Sequence, residues 1–240
     1  MTDVMQAMRN AFRSVLHPQM LALAIWPMLV ALAVWIGLAW LYWDSWSQWL
    51  SAAIASSGAA RWLSPRSLEL LAQYSALLLL ILAVAPLVLV TALTIAALFA
   101  MPVIVNFVAA RDYPQLDKRR GGSFAGSVFN ALAAILVFAA LWVATLPLWL
   151  TGILAPLLPL LLSAYLNQRL FRYDALSDHA STEECRTIVR TNRGKLYVLG
   201  FVLALFYYVP LVNLLVPILS GLAFTHFGLA RLARLRAMHG

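Results

Sequence analysis

A chain of 240 residues is long enough for one or two soluble domains, but 63% of it is hydrophobic and only 11% charged, against about 45–50% and about 25% in ordinary soluble proteins. Surface area falls too slowly with mass for a soluble fold of this size to hide so much apolar surface, so the composition implies an integral membrane protein and excludes disorder. The net charge of +8, from 17 Lys+Arg against 9 Asp+Glu, sits in short blocks between long apolar stretches. That is the pattern of topology signals rather than of a nucleic-acid surface.

Residues 1–17 read as an interfacial helix, because Val4, Met5, Met8, Phe12, Val15 and Leu16 recur at helical spacing opposite Arg9, Asn10 and Arg13. Four stretches then lack any formal charge: 14–43, 70–110, 121–168 and 196–230. A straight crossing takes about 20 apolar residues, so the first stretch holds one uncleaved spanning helix, from about Met20 to Trp43. An outer loop over 44–69 follows. Trp46, Trp49, Leu50, Ala53 and Ile54 give it a second interfacial face, and Trp40, Tyr42, Trp43 and Trp62 complete an aromatic belt.

The second stretch carries Pro86 and Pro102 and reads as one long, bent helix that continues beyond the membrane. The third, with Pro147, Gly152, Pro156 and Pro159, predicts a helical hairpin turning near Leu146–Gly152. The fourth is only 35 residues long and is interrupted by Pro210 and Pro217. Two full crossings need about 40 residues before any turn. It therefore reads as two half-length helices meeting inside the membrane, an arrangement tolerated where the broken backbone is buried in protein or lines a wet cavity.

The fold expected is thus all-α and membrane-embedded: two long transmembrane helices plus two helical hairpins, at least the last re-entrant. The 44–69 loop holds 2 Lys/Arg and the remaining inter-stretch segments hold 15. By the positive-inside rule both termini are cytoplasmic, and so is the 169–195 segment.

Little in the sequence supports catalysis. The four histidines are scattered without metal-site spacing, no phosphate loop or nucleophile elbow occurs, and no Asp or Glu enters an apolar stretch after its charge-free bounds. No catalytic residue, cofactor or metal site is expected. Polar residues within the apolar stretches are the remaining candidates. Asn106 follows Pro102, Asn130 lies early in the third stretch, and Asn213 lies at the central break of the fourth. Each also suits plain interhelical hydrogen bonding. A helix restarting after the break offers free N–H groups to an anion, with Asn213 able to cap it. Arg169, Arg172, Arg186 and Arg190 supply positive charge that could line an anion path or simply touch anionic lipid. Cys185 is the sole cysteine and reads as a loop thiol.

The last third carries a resemblance. Tyr165 through Asp174, the Glu184-Cys-Arg-Thr-Ile-Val-Arg190 segment and the Pro210-Leu-Val-Asn-Leu214…Pro217 break resemble the CysZ sulfate permeases and the wider etoposide-induced-protein 2.4-like membrane superfamily. His17-Pro18, Trp26-Pro27 and Met101-Pro102…Asn106 match more weakly. The resemblance implies a multi-pass protein of the bacterial inner membrane, a homo-oligomer in contact with lipid, that admits a small inorganic anion, sulfate. It departs from the family at Pro18-Gln-Met-Leu-Ala-Leu23, where permeases have a Gly and an arginine pair implicated in sulfate binding. A membrane scaffold or assembly protein of the same fold is the alternative reading.

Overall fold

The computed structural model describes residues 2–56, 84, 87–88, 91–92, 95, 99–149, 157–209 and 212–238. All secondary structure among them is helical: α1 (Thr2–Val15), α2 (Pro18–Ala55), α3 (99–112), α4 (Phe124–Trp149), α5 (Leu157–Ser177), α6 (Thr182–Thr191), α7 (Arg193–Phe206), a 3-10 turn (Val212–Leu215) and α8 (Val216–Ala237). The chain divides into two compact units, Met1–Ala24 with Phe99–Gly240, and Ile25–Leu98.

In the second unit, Ala31 of α2 packs with Val88 and Ala92, flanked by Trp35 and Val84. Trp35 Nε1 donates to Thr91 Oγ1 over 3.0 Å, which satisfies the indole within an apolar setting. Helix α2 is 38 residues long, about 57 Å at 1.5 Å per residue, and continues through Pro27. Its first part was expected as the spanning helix. The expected outer loop begins as more of the same helix, because no Gly or Pro occurs between Leu41 and Ala55 to stop it. The rest of that loop, and the Pro86 part of the second stretch, lie outside the described residues.

The first unit is organised around α8. Its side chains from Ile218 to Leu229 are buried without a break, including Ser220, Thr225 and His226. Against it pack α1, α5, α6 and α7. At Gly221 a Cβ would meet Ile104 Cδ1 at 2.8 Å and Met101 Sδ at 3.0 Å, so α3 approaches it closely. The apolar stripe of α1 narrows to Val4, Ala7, Met8, Ala11 and Val15, which are buried, while Met5 and Leu16 remain more than 70% exposed. One edge of the expected interfacial helix is therefore a protein contact with α8.

Helices α4 and α5 form the third-stretch hairpin and run antiparallel, since Asn130 meets Arg169 and Gly126 meets Tyr173. Helix α4 runs through Pro147 to Trp149. A proline in the last turn removes one hydrogen bond without ending a helix there, and the rest of the expected Leu146–Gly152 turn lies outside the described residues. Helices α7 and α8 pair as the fourth-stretch hairpin. At 14 residues α7 is about 21 Å long, short of a hydrocarbon core of about 30 Å. Helix α8 has 22 residues, about 33 Å, longer than the half-length helix expected. Only its first 15, Val216 to Ala230, precede the arginines.

Among the described residues, three helices are long and apolar enough to cross a membrane: Pro18–Trp49, Ala125–Leu148 and Val216–Ala237. Their surroundings differ. The apolar window of Ala125–Leu148 is 6% buried in protein and that of Val216–Ala237 is 78% buried. The first presents a bare apolar face suited to lipid; the second satisfies its apolarity inside the protein.

Candidate anion site

The 169–195 segment, expected as a loop whose apolar positions after Ser181 start a helix near Thr182-Glu183-Glu184, is mostly helix. Helix α5 continues to Ser177, a short turn follows, and Ser181 caps α6 with a capping box: its Oγ accepts from Glu184 N at 3.2 Å while its own N donates to Glu184 Oε2 at 2.7 Å. Asn192 then bends the chain before α7. Cys185 accordingly lies on α6, half-buried, and burial raises its thiol pKa. The turn is held from outside by residues 119–122. Arg120 N donates to Asp178 O, Gly121 N to Ala180 O and Gly122 N to Ser177 O, at 2.9–3.0 Å.

The antiparallel α5–α7 pair places the central cations. A Cβ at Gly200 would stand 2.6 Å from Ala164 O, so the two backbones touch there. Seven to eight residues along each helix, Arg172 lies within electrostatic reach of Arg169, Arg193 and Tyr197. Both Arg169 and Arg172 are partly buried, and neither has a carboxylate partner among the described residues. Arg172 Nη1 donates to Gln168 Oε1 at 2.7 Å. Burial, followed by the Arg169 charge, lowers the Arg172 pKa, yet an arginine stays charged. Asn130 Nδ2 donates to the Arg169 carbonyl at 2.9 Å, the plain interhelical bond expected of it. On the same turn, Arg169 Nε and Asn167 Nδ2 are buried N–H donors with no acceptor among the described residues. Gln168, Asn167 and Arg193 were not singled out from sequence. The Asn167-Gln168-Arg169 run closing an apolar stretch was the available signal.

The other predicted residues fall elsewhere. Arg186 and Arg190 are exposed on α6. Asn106 accepts from Lys118 Nζ at 2.7 Å. Asn213 is exposed in the 3-10 turn, at the opposite end of α7 from Arg193. It does not cap α8, which starts from Leu215 with no side-chain capping bond. The 3-10 turn intervenes, so Asn213 sits two residues too early. The arginines and Asn213 therefore do not form one site.

Two carboxylates gather five further cations. Glu184 takes Arg236 Nε at 3.0 Å and Arg119 Nη1 at 2.9 Å, and the Arg236 bond leads in holding its carboxyl below the usual range. Asp3 takes Lys195 Nζ at 2.7 Å, Arg234 Nη1 at 3.0 Å and Arg231. These bonds, Lys195 foremost, hold the Asp3 carboxyl far below its ordinary pKa. A third polar link crosses the core: Ser14 Oγ lies 3.1 Å from His226 Nε2, and His226 Nδ1 lies 3.5 Å from Asp112 Oδ2. His226 Nδ1 makes no hydrogen bond, and the Ser14 hydroxyl can either donate to or accept from Nε2 according to the imidazole tautomer. Ser14 and His226 are 4% and 2% exposed, so the trio ties α1, α3 and α8 together and presents no open nucleophile. Among the described residues, no group of three or more His, Cys, Asp or Glu could hold a metal ion.

Comparison with curated proteins gives no significant match. The family model described as sulfate transporter CysZ/etoposide-induced protein 2.4 matches residues 7–217, covering α5 and its arginines as well as the α7–α8 break, and the chain belongs to that family.

Proposed function

We propose that this protein passes a small inorganic oxyanion, sulfate by family, across a bacterial inner membrane with both termini cytoplasmic. The observation that carries the reading is the α5 turn: among the described residues, partly buried Arg169 and Arg172 have no carboxylate, and Arg169 Nε and the neighbouring Asn167 Nδ2 are buried without acceptors. An oxyanion leaving water needs fixed positive charge and several donors in exchange for its hydration. This turn offers both, although the chain lacks the family's arginine pair after Pro18. The apolar stretches hold no carboxylate to carry a coupling proton or cation, which favours downhill passage or coupling through the anion itself. Arg186 and Arg190 on exposed α6 raise the local anion concentration at the mouth.

The test is uptake of labelled sulfate into proteoliposomes against empty liposomes. Arg169→Ala and Arg172→Ala, each confirmed as folded, should each lower apparent sulfate affinity by about 10- to 150-fold, the worth of one charge-assisted contact of about 1.5–3 kcal/mol. Unchanged uptake in both variants refutes the site. The missing arginine pair favours a second reading, a membrane scaffold of the same fold, and a parent protein that passes no sulfate would support it.

A further inference from the structure

A second charge-imbalanced cluster lies where the N-terminal helix meets the open end of the α7–α8 hairpin. Lys195 opens α7, and Arg231 and Arg234 close α8. All three cations converge on one carboxylate, Asp3, in the first turn of α1. One negative charge against three positive leaves a surplus suited to a doubly charged anion.

The cluster is open to solvent. The opening is on the side of Lys195 and Arg234, whose side chains are 41% and 58% exposed, against 17% for Arg231 and 18% for Asp3. A cavity of about 40 Å³ adjoins the carboxylate, lined by Gln6, Asn10, Tyr113, Arg231 and Arg234. A water needs about 10–15 Å³, so a small polar species fits beside Asp3 before anything moves. The rest of α1 is anchored independently, by Val4, Ala7, Met8, Ala11 and Val15 and by the Ser14–His226 bond. Release of Asp3 therefore requires only its side chain and the first turn to yield.

We propose that Lys195, Arg231 and Arg234 form an oxyanion-binding site that the chain's own Asp3 carboxylate occupies as a tethered, displaceable ligand. The ligand class is a sulfate- or phosphate-type oxyanion, free or as a phospholipid headgroup. The site is separate from Arg169 and Arg172 and does not require that anything be transported.

The full chain in detergent micelles tests this through thermal melts in sodium sulfate against chloride at matched ionic strength, repeated with added phosphatidylglycerol. The series is duplicated in an Arg172→Ala background, so that failure here is distinct from failure of the α5 site. Asp3→Asn removes the internal competitor, and its apparent sulfate affinity should rise about tenfold or more. Asp3→Asn with Arg231→Gln should lose that gain. Stabilisation by phosphatidylglycerol alone upholds the site and assigns it to lipid. Should Asp3→Asn not fold, the parent decides: displacing Asp3 frays the first turn, so sulfate or phosphatidylglycerol should speed amide hydrogen exchange at Gln6 and Ala7. Equal ligand shifts in parent and Asp3→Asn, or unchanged exchange at Gln6 and Ala7, overturn the proposal and leave Asp3 a structural clamp.

Discussion

The α5–α7 contact that positions the candidate anion site makes a prediction with an internal control, because α7 carries two glycines in different surroundings. At Gly200 a Cβ would stand 2.6 Å from the Ala164 carbonyl oxygen and 3.4 Å from its carbon, so the helices must part by at least 0.4 Å to reach the 3.0 Å at which Cβ contacts begin to be tolerated. At Gly194 nothing lies within 4 Å. Alanine in place of a helical glycine gains about 0.5–1 kcal/mol from the unfolded chain's lost freedom. At Gly194 that gain is unopposed. At Gly200 it meets an overpacking cost of about 1–3 kcal/mol, because a backbone oxygen cannot swing aside as a side chain can. Gly194→Ala should therefore stabilise by up to about 1 kcal/mol while Gly200→Ala destabilises by up to about 2.5 kcal/mol. In thermal melts in one detergent, followed by tryptophan fluorescence, each kcal/mol corresponds to about 2–4 °C for a chain of this size. Gly200→Leu should further separate Arg172 from α7 and lower sulfate uptake. If both alanine variants shift the melting temperature in the same direction and by the same amount, the close approach of α5 and α7 is refuted.

Glu184→Ala removes a capping box and two arginine contacts together. It should cost about 2–4 kcal/mol, more than Glu184→Gln, which keeps an acceptor for Ser181 N; denaturant melts of the two separate cap from charge. Asp3 and Glu184 have folded pKa values below their ordinary 3.8 and 4.5, so the stability they contribute is full above those values and is lost as pH falls through the folded ones. Melts from neutral to acid pH should show a loss below about pH 4.5 that Asp3→Asn with Glu184→Gln flattens, and parallel profiles in parent and double variant would contradict this. Ser14→Ala deprives buried His226 Nε2 of its hydroxyl partner and should cost about 1–3 kcal/mol; a melting temperature equal to the parent's would show that the bond contributes nothing.

What the sequence by itself determined is local. Blocks of Lys and Arg between charge-free stretches, prolines at stretch centres and Thr182-Glu183-Glu184 near a helix start are short-range signals, and they sufficed for an all-helical membrane fold, the start of α6 and the break after Phe206. At Pro147 the helix runs on to Trp149, because the last turn of α4 accommodates the proline. Only the tertiary structure decided which apolar helix is left bare and which fills the protein. Lipid and protein interior are equally apolar, so hydropathy cannot tell bare α4 from buried α8. It also decided which charges are matched. Asp3 finds Lys195 and Arg234 from 192 and 231 residues away, and Ser14 finds His226 from 212 away. Arg169 and Arg172, no different in sequence from their neighbours, are left without a carboxylate because packing α5 against α7 brings them tyrosine, glutamine and more arginine instead. Such pairings depend on where distant helices meet, and that is set by the packing of whole helix faces rather than by any local run of residues.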